Sequence, residues 1–468
     1  MMILLLLTLY GIDSILNQPA LANAQYGVCV IDLASDSVVF SRNGQKLLIP
    51  ASNMKIVSTA ASLCYLGPDY RYRTRFCVQG AVKGQTLHGN LMIIGGGDPT
   101  LTTDAIQQFV QTLKIRGIRT VTGNIIIDDS FFTELSLHGN GFTYERLPVG
   151  WAWHYLDARY AAEISALSVN KNYVNVVMEP TSPGEYARVY IDPKNNYMQL
   201  VNRMKTIQGK DSIIIYRTPG MNVIHVDGGI GDKRSRTIPV SVLDPARYAG
   251  HLFQQTLEDS GIMVHGAVIM LDELDETISV HCSPVCVDSV VSPVLVDILR
   301  ETNVESVNLY AETLLKTLGA RYYNEGSFNK GIMIMKRFLR LCGADTSRVS
   351  LWDGSGLSRH NLISPYILSL TLRYMYLSKY SDTYINLLPS SGEGTLEYRF
   401  NDLDGNVRAK TGSLHAVSCL SGYLRVTGHV YCFSLMFNNF TCSRKIIEQV
   451  QEDIIHALAG GRGAGKKY

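Results

Sequence analysis

Ser52 and Lys55 stand three residues apart in Pro50-Ala51-Ser52-Asn53-Met54-Lys55-Ile56-Val57, and neither Gly nor Pro follows until Gly67. That run predicts one helix with Ser52 at its start, and residues three apart on a helix share a face. A serine hydroxyl is a poor nucleophile at neutral pH. A lysine amine within reach can act as its base once burial or a second cation lowers its pKa. Alone, the pair reads more readily as a capping serine and a surface lysine. Two later clusters change that weight: Glu305-Ser306-Val307-Asn308-Leu309-Tyr310-Ala311-Glu312 and Val407-Arg408-Ala409-Lys410-Thr411-Gly412-Ser413-Leu414. They add a second hydroxyl, an amide and a second lysine, which are the parts a proton relay and an anion site need.

The elements that must position these residues follow from length and pattern. At 468 residues the chain is too long for one ordinary domain. An apolar content of 46% with 18% charged residues describes a globular protein with sizeable cores. A net charge of +2 makes no electrostatic case for nucleic acid. The basic, Gly-rich segment 460–468 reads as a flexible tail. Met1 to Tyr10 is apolar but too short to span a bilayer, and it lacks the basic start of a complete export signal. Residues 1–11 are expected to be a signal-peptide remnant, with a buried first helix as the alternative. Of nine cysteines only Cys282 and Cys286 are close, which leaves room for one disulfide there if the chain is exported; otherwise the cysteines read as small core residues. No second pair or His cluster completes a zinc site.

In chain order, Asp13 to Leu21 reads as a short helix. Tyr26 to Asp32 and Ser37 to Ser41 read as a hairpin about Ala34-Ser35-Asp36. Leu91 to Ile94 is a strand running into Gly95-Gly96-Gly97-Asp98-Pro99, which reads as a turn because no dinucleotide fingerprint or P-loop surrounds it. A helix with Ile106, Phe109, Val110 and Leu113 on one face closes at Gly117, and Ile125-Ile126-Ile127 follows as a strand. Ala166 to Leu243 is strand-rich, and Pro245 to Gly261 is helical. Val294 to Lys316 reads mostly as helix. Val417 to Val426, a Thr427-Gly428 turn and Tyr431 to Phe437 make a hairpin. A last helix carries Ile446, Ile447, Val450, Ile454 and Leu458. The terminal strands are expected to close the sheet that the N-terminal hairpin begins.

Ser-x-x-Lys, Ser-x-Asn and Lys-Thr-Gly, in that order, resemble the motif set of penicillin-binding proteins and serine β-lactamases. The long gap between Ser52 and Ser306 resembles the D-alanyl-D-alanine carboxypeptidase/endopeptidase family S13, the PBP4/DacB-type proteins, which carry two extra domains there. Leu47 to Lys55, Gly95 to Leu101, Asp353 to Arg359 and Leu388 to Gly392 look like the same family. The resemblance implies an α+β or α/β multidomain chain. Its core would be a split β-lactamase/transpeptidase-like domain, an antiparallel sheet flanked by helices, at 12–68 and 290–459. An inserted α/β domain would take 69–165 and 244–289, and a nested strand-rich domain 166–243.

The resemblance also implies the chemistry. Ser52 would attack the carbonyl between the terminal D-alanines of a peptidoglycan stem. Lys55 would take its proton, helped to stay neutral by Lys410. Ser306 would relay a proton to the leaving amine, and Asn308 would hold Lys55 and the substrate amide. Lys410 and Thr411 of the Lys410-Thr411-Gly412 triplet would bind the terminal carboxylate, and the N–H groups of Ser52 and Ser413 would form the oxyanion hole. Arg359 matches a substrate-side arginine of the family. Two departures concern substrate choice. Trp151-Ala152-Trp153 is followed by His154 and Tyr155 where the family has an acidic residue, leaving Asp157 two positions later. His415 replaces a more usual Gln. No metal or organic cofactor is implied. The implied partners are stem peptides and β-lactams, in the periplasm or cell envelope of a bacterium. Peripheral membrane association and a homo-oligomer stay open. Two other readings compete: a β-lactamase or esterase on the same scaffold, and a non-catalytic peptidoglycan-binding scaffold.

Overall fold

Residues from the two ends of the chain build the sheet that carries the motifs. In the computed structural model of this protein, which describes residues 10–138, 141–274, 283–403, 405–426 and 428–460, five antiparallel strands lie side by side. Their order is Val407–Leu414, Val417–Val426, His429–Asn438, Gln25–Asp32 and Ser37–Arg42. Gln25 pairs with Asn438 and Asp32 with Tyr431, so the N-terminal hairpin adds to the C-terminal one along its full length. The central strands are buried on both faces, which is why they read as nearly continuous apolar runs. On one face Phe433, Leu435 and Phe437 pack with Ile447, Val450, Ile454 and Leu458 of the terminal helix Arg444–Leu458. Ile446, which the spacing also placed on that stripe, is 36% exposed at its edge. On the other face the helix Pro365–Leu377 lies against the strands, with Tyr423 Oη donating to Leu372 O at 2.7 Å.

The helix Met54–Leu66 is buried along ten of its residues because it packs against four others, Leu295–Val304, Asn308–Tyr323, Phe328–Leu341 and Pro365–Leu377. Each large apolar side chain so enclosed contributes roughly 1.5–3 kcal/mol. Two expectations about helices gain detail here. The stretch expected to be mostly helix over 294–316 is so, as two helices that part at Ser306, whose φ is +58°. Neither Gly nor Pro marks that break, and its cause is tertiary, as the site shows. The short helix expected over 13–21 ends at Leu16, and a separate turn of 3-10 helix spans Pro19–Leu21. Pro19 has no N–H to continue the first.

The chain divides into two compact units, one drawn from 1–70, 148–151 and 294–468, the other from 71–147 and 152–293. The second unit has a seven-stranded mixed sheet that includes Arg73–Lys83, Thr86–Ile94, Ile125–Asp128 and Val285–Val291. Helices Thr103–Ile115 and Pro245–Asp259 cover it through a Phe76–Phe109–Phe253 stack, with ring centroids 4.3 and 5.4 Å apart. The strand-rich part forms a three-stranded and a four-stranded sheet, and its Val174, Val176, Ile224 and Val226 share one core with that stack. Gly95 to Gly97 leave the strand in a turn held by Gly97 N–H on Ala166 O at 2.8 Å. Residues 1–9, 461–468 and Cys282 lie outside the described residues. Among the described residues no helix is long and apolar enough to cross a membrane.

Candidate active site

Ser52 sits on a single turn of 3-10 helix, Ala51–Asn53, that runs straight into Met54–Leu66. Its hydroxyl makes no capping bond, because the helix start is closed by backbone bonds. The hydroxyl is instead 3.0 Å from Lys55 Nζ. Lys55 is wholly buried, and Nζ has two further partners, Asn308 Oδ1 at 2.6 Å and Ser355 O at 3.0 Å. A neutral amine has two N–H donors and one lone pair. Both partners are acceptors and take the two N–H groups, so the lone pair is left for the Ser52 proton. Burial lowers the Lys55 pKa to about 7, against the opposing pull of Glu312 and Asp353.

The second lysine is held by the second hydroxyl. Lys410 Nζ contacts Ser306 Oγ at 3.0 Å and Thr411 O at 2.9 Å. The left-handed backbone at Ser306 turns its side chain back to Lys410 while letting Asn308 begin the next helix. Here is the reason for the helix break. Burial pushes Lys410 well below its ordinary pKa, and the nearby Lys55 charge pushes it further. For Lys55 itself burial, rather than Lys410, is the first cause.

Gly412 lets the Lys410 strand pass the Ser52 turn. A Cβ there would lie 2.8 Å from Pro50 O and 3.0 Å from the Ser52 and Asn53 nitrogens. Buried Asn53 tethers the two elements, its amide satisfied when it donates to Lys410 O at 2.8 Å and accepts from Ser421 Oγ at 2.6 Å. Val407–Leu414 is an edge strand, and Ala409 N–H points off that edge to Pro389 O at 3.0 Å. N–H groups alternate in direction along an antiparallel strand. Ser413, four residues on and exposed, therefore aims its N–H off the same edge. Thr411 is half-buried, and Arg359 donates to His415 O at 3.1 Å across the hairpin turn. His415 is exposed. Asp157 belongs to the second unit, where its carbonyl accepts Ser241 N–H at 2.9 Å.

Two acids that motif reading passed over complete the arrangement. Glu312, one turn beyond Asn308 on the same helix, is fully buried and accepts the N–H groups of Gly354 and Ser355 at 2.9 and 2.8 Å. It thus clamps the peptide whose Ser355 carbonyl holds Lys55. Asp353 accepts from Gly356 N, Ser358 N, Asn361 Nδ2 and Trp151 Nε1 at 2.6–3.0 Å. Burial, then the Asp353 charge, raises Glu312 to about 8, and burial raises Asp353 too. The signal for Glu312 was its i,i+4 spacing from Asn308. Gly356, with φ at +85°, brings this loop onto the Ser52 turn, where an added Cβ would meet Ala51 O at 1.8 Å. Gly356→Ala is therefore expected to destabilise the protein by about 3 kcal/mol, read as a lowered urea midpoint.

Comparison with known proteins agrees with this geometry. The model of the D-Ala-D-Ala carboxypeptidase 3 (S13) family matches residues 9–460. A D-alanyl-D-alanine carboxypeptidase of Actinomadura sp. (strain R39) is 33% identical over 449 residues, covering 91% of this chain and 80% of that protein. Penicillin binding protein 4 (dacB) from Haemophilus influenzae, whose structure is known alone and complexed with a β-lactam, superposes with a TM-score of 0.82 for the uncomplexed form at 22% identity. That alignment covers 96% of this chain and 99% of that one. A predatory peptidoglycan endopeptidase from Bdellovibrio bacteriovorus superposes at 0.53 with 15% identity, over 95% and 94% of the two chains. These two structural likenesses speak to the fold.

Proposed function

Because this chain belongs to the D-Ala-D-Ala carboxypeptidase (S13) family, and so is a serine carboxypeptidase, we propose that it works through an acyl-enzyme on Ser52. The observation that carries this is the buried Lys55 Nζ at 3.0 Å from Ser52 Oγ, with Asn308 Oδ1 and Ser355 O placed to take the two protons of the neutral amine. Lys55 takes the Ser52 proton as the hydroxyl attacks the carbonyl between the terminal D-alanines of a stem peptide. The N–H groups of Ser52 and Ser413 receive the oxyanion, at about 3 kcal/mol per donor. Ser306, bonded to Lys410, passes a proton to the leaving D-alanine amine. Lys410, Thr411 and Arg359 receive the terminal carboxylate, and His415 borders that end of the cleft. Water then releases the acyl group.

A cross-linked stem offers the same kind of D,D-bond, so endopeptidase action follows from the same groups. A β-lactam presents a strained amide to Ser52 and leaves an ester. Such a substrate belongs to the periplasm or cell envelope, and the acyl-transfer groups lie in the unit drawn from 1–70, 148–151 and 294–468. The test is direct: purified protein is given a stem pentapeptide, a cross-linked dimer and fluorescent penicillin. D-Alanine release, dimer cleavage and stable labelling are expected. Rapid turnover of the penicillin would replace this reading with a β-lactamase, and none of the three activities would leave a scaffold.

The acidic limb of the reaction should report Lys55. The neutral amine is the active form, so kcat/KM is expected to rise with pH through about 7. As Glu312 ionises toward its own pKa of about 8, its charge pulls the Lys55 pKa upward, and removing that group lowers it. In Glu312→Gln the limb should therefore move to lower pH. A limb that stays in place would separate Glu312 from the base.

A further inference from the structure

In the second unit, Cys286 and Cys77 oppose each other across the antiparallel strands Val285–Val291 and Arg73–Lys83. Both are free thiols here. Cys286 is exposed, whereas Cys77 is 2% exposed and packs with Met92 and Ile126. Opposed residues of an antiparallel pair have Cα atoms about 4.5–5.5 Å apart, inside the roughly 4.4–6.8 Å that a disulfide spans. Their side chains also leave the sheet on one side. Burial, with the Cys286 thiol beside it, pushes Cys77 up to about 11. An oxidant therefore meets Cys286 first.

The position of the pair gives it a role. These are the strands by which the chain first comes into the second unit and last leaves it. Their register runs from Arg73 opposite Val291 to Val78 opposite Val285, with a bulge between Cys286 and Asp288 beside the Cys77–Cys286 pair. Below it, Tyr72 N–H donates to Ser292 Oγ at 3.0 Å, and Ser292 N–H to Tyr72 O at 3.1 Å.

We propose that Cys77 and Cys286 are a disulfide-forming pair, and that a small disulfide of the glutathione class oxidises them into a latch between the incoming and outgoing strands. The Cys286 thiolate attacks the oxidant's S–S bond, forming a mixed disulfide and expelling one glutathione thiolate. Cys77 then displaces the second. The protein gives up two electrons and two protons, and both appear on the two glutathione thiols released. The link closes the chain from residue 77 to residue 286, a long loop whose freedom in the unfolded state is thereby cut. It also competes with the Cys282–Cys286 pairing that sequence spacing favours.

To test this, the full chain is incubated with glutathione disulfide, remaining thiols are alkylated, and the unreduced protein is digested for mass spectrometry. A peptide joining Cys77 to Cys286 is expected as the main linked species. It should vanish on reduction and be absent from Cys286→Ser, a change at an exposed site. Cys286 joined to Cys282, Cys286 still carrying glutathione, or both thiols alkylated would each overturn the latch.

Discussion

Ser52→Ala is expected to lose covalent penicillin labelling altogether and to slow D-alanine release by about 10⁴-fold or more. The loss should be one of chemistry and not of folding. The hydroxyl caps nothing, and it is hydrogen-bonded to Lys55. Exchanging it for a methyl hydrogen leaves the Ser52 turn, the Asn53 tether and the Gly412 crossing in place, so stability should change by less than about 1 kcal/mol. Binding of the stem peptide should persist, because the carboxylate-binding groups come from a different strand. Labelling that survived in Ser52→Ala would remove Ser52 from the mechanism. A matched drop in Tm would assign the loss to unfolding instead.

Lys55→Met should cost about as much activity, and the double variant Ser52→Ala/Lys55→Met little more than either alone, since the two groups act as one unit. The variant also makes a stability prediction with a definite sign. Lys55 is held at about 7 in the folded protein against an ordinary 10.5. Between those values the unfolded chain binds the extra proton, so Lys55 makes stability rise with pH across that window. Glu312 does the opposite at lower pH. Raised from 4.5 to about 8, it binds a proton in the folded state that the unfolded chain has lost, so its contribution falls as pH rises through that range. Urea melts of wild type and Lys55→Met should therefore diverge above about pH 7, the wild type gaining on the variant. Melts that stay parallel up to pH 10 would show that the buried amine is not depressed. Met fills the same space, but it leaves Asn308 Oδ1 and Ser355 O without their donor, at about 1–3 kcal/mol each.

Much of this molecule is legible from near neighbours in the chain. The three-residue spacing of Ser52 and Lys55, the Ser306 to Asn308 triplet and the Lys410 to Gly412 triplet named the groups that the fold brings together. Period-two and helical patterns found both hairpins of the main sheet and the helix that closes it. These features are readable because the interactions that specify them lie within a few residues of one another. Glycines were less transparent. Gly412 and Gly356 look like turn residues, and only the fold reveals that one makes room for the Ser52 turn and the other rests on Ala51 O.

What tertiary structure decided is the state of the charged groups. Lys55, Lys410, Glu312 and Asp353 are all buried, although a lysine or an acid in a sequence is read by default as solvated. Their burial comes from helices and strands hundreds of residues apart, and burial is what lowers the Lys55 pKa to about 7. The break at Ser306 has the same origin, since no residue near it ends a helix and its backbone answers to Lys410 on a distant strand. The direction of the Ser413 N–H depends on which edge of the sheet its strand occupies. Spacing likewise paired Cys282 with Cys286, whereas strand register set Cys77 opposite Cys286. Sequence by itself named the groups proposed to react. Their protonation, aim and support arise from contacts that no local pattern encodes.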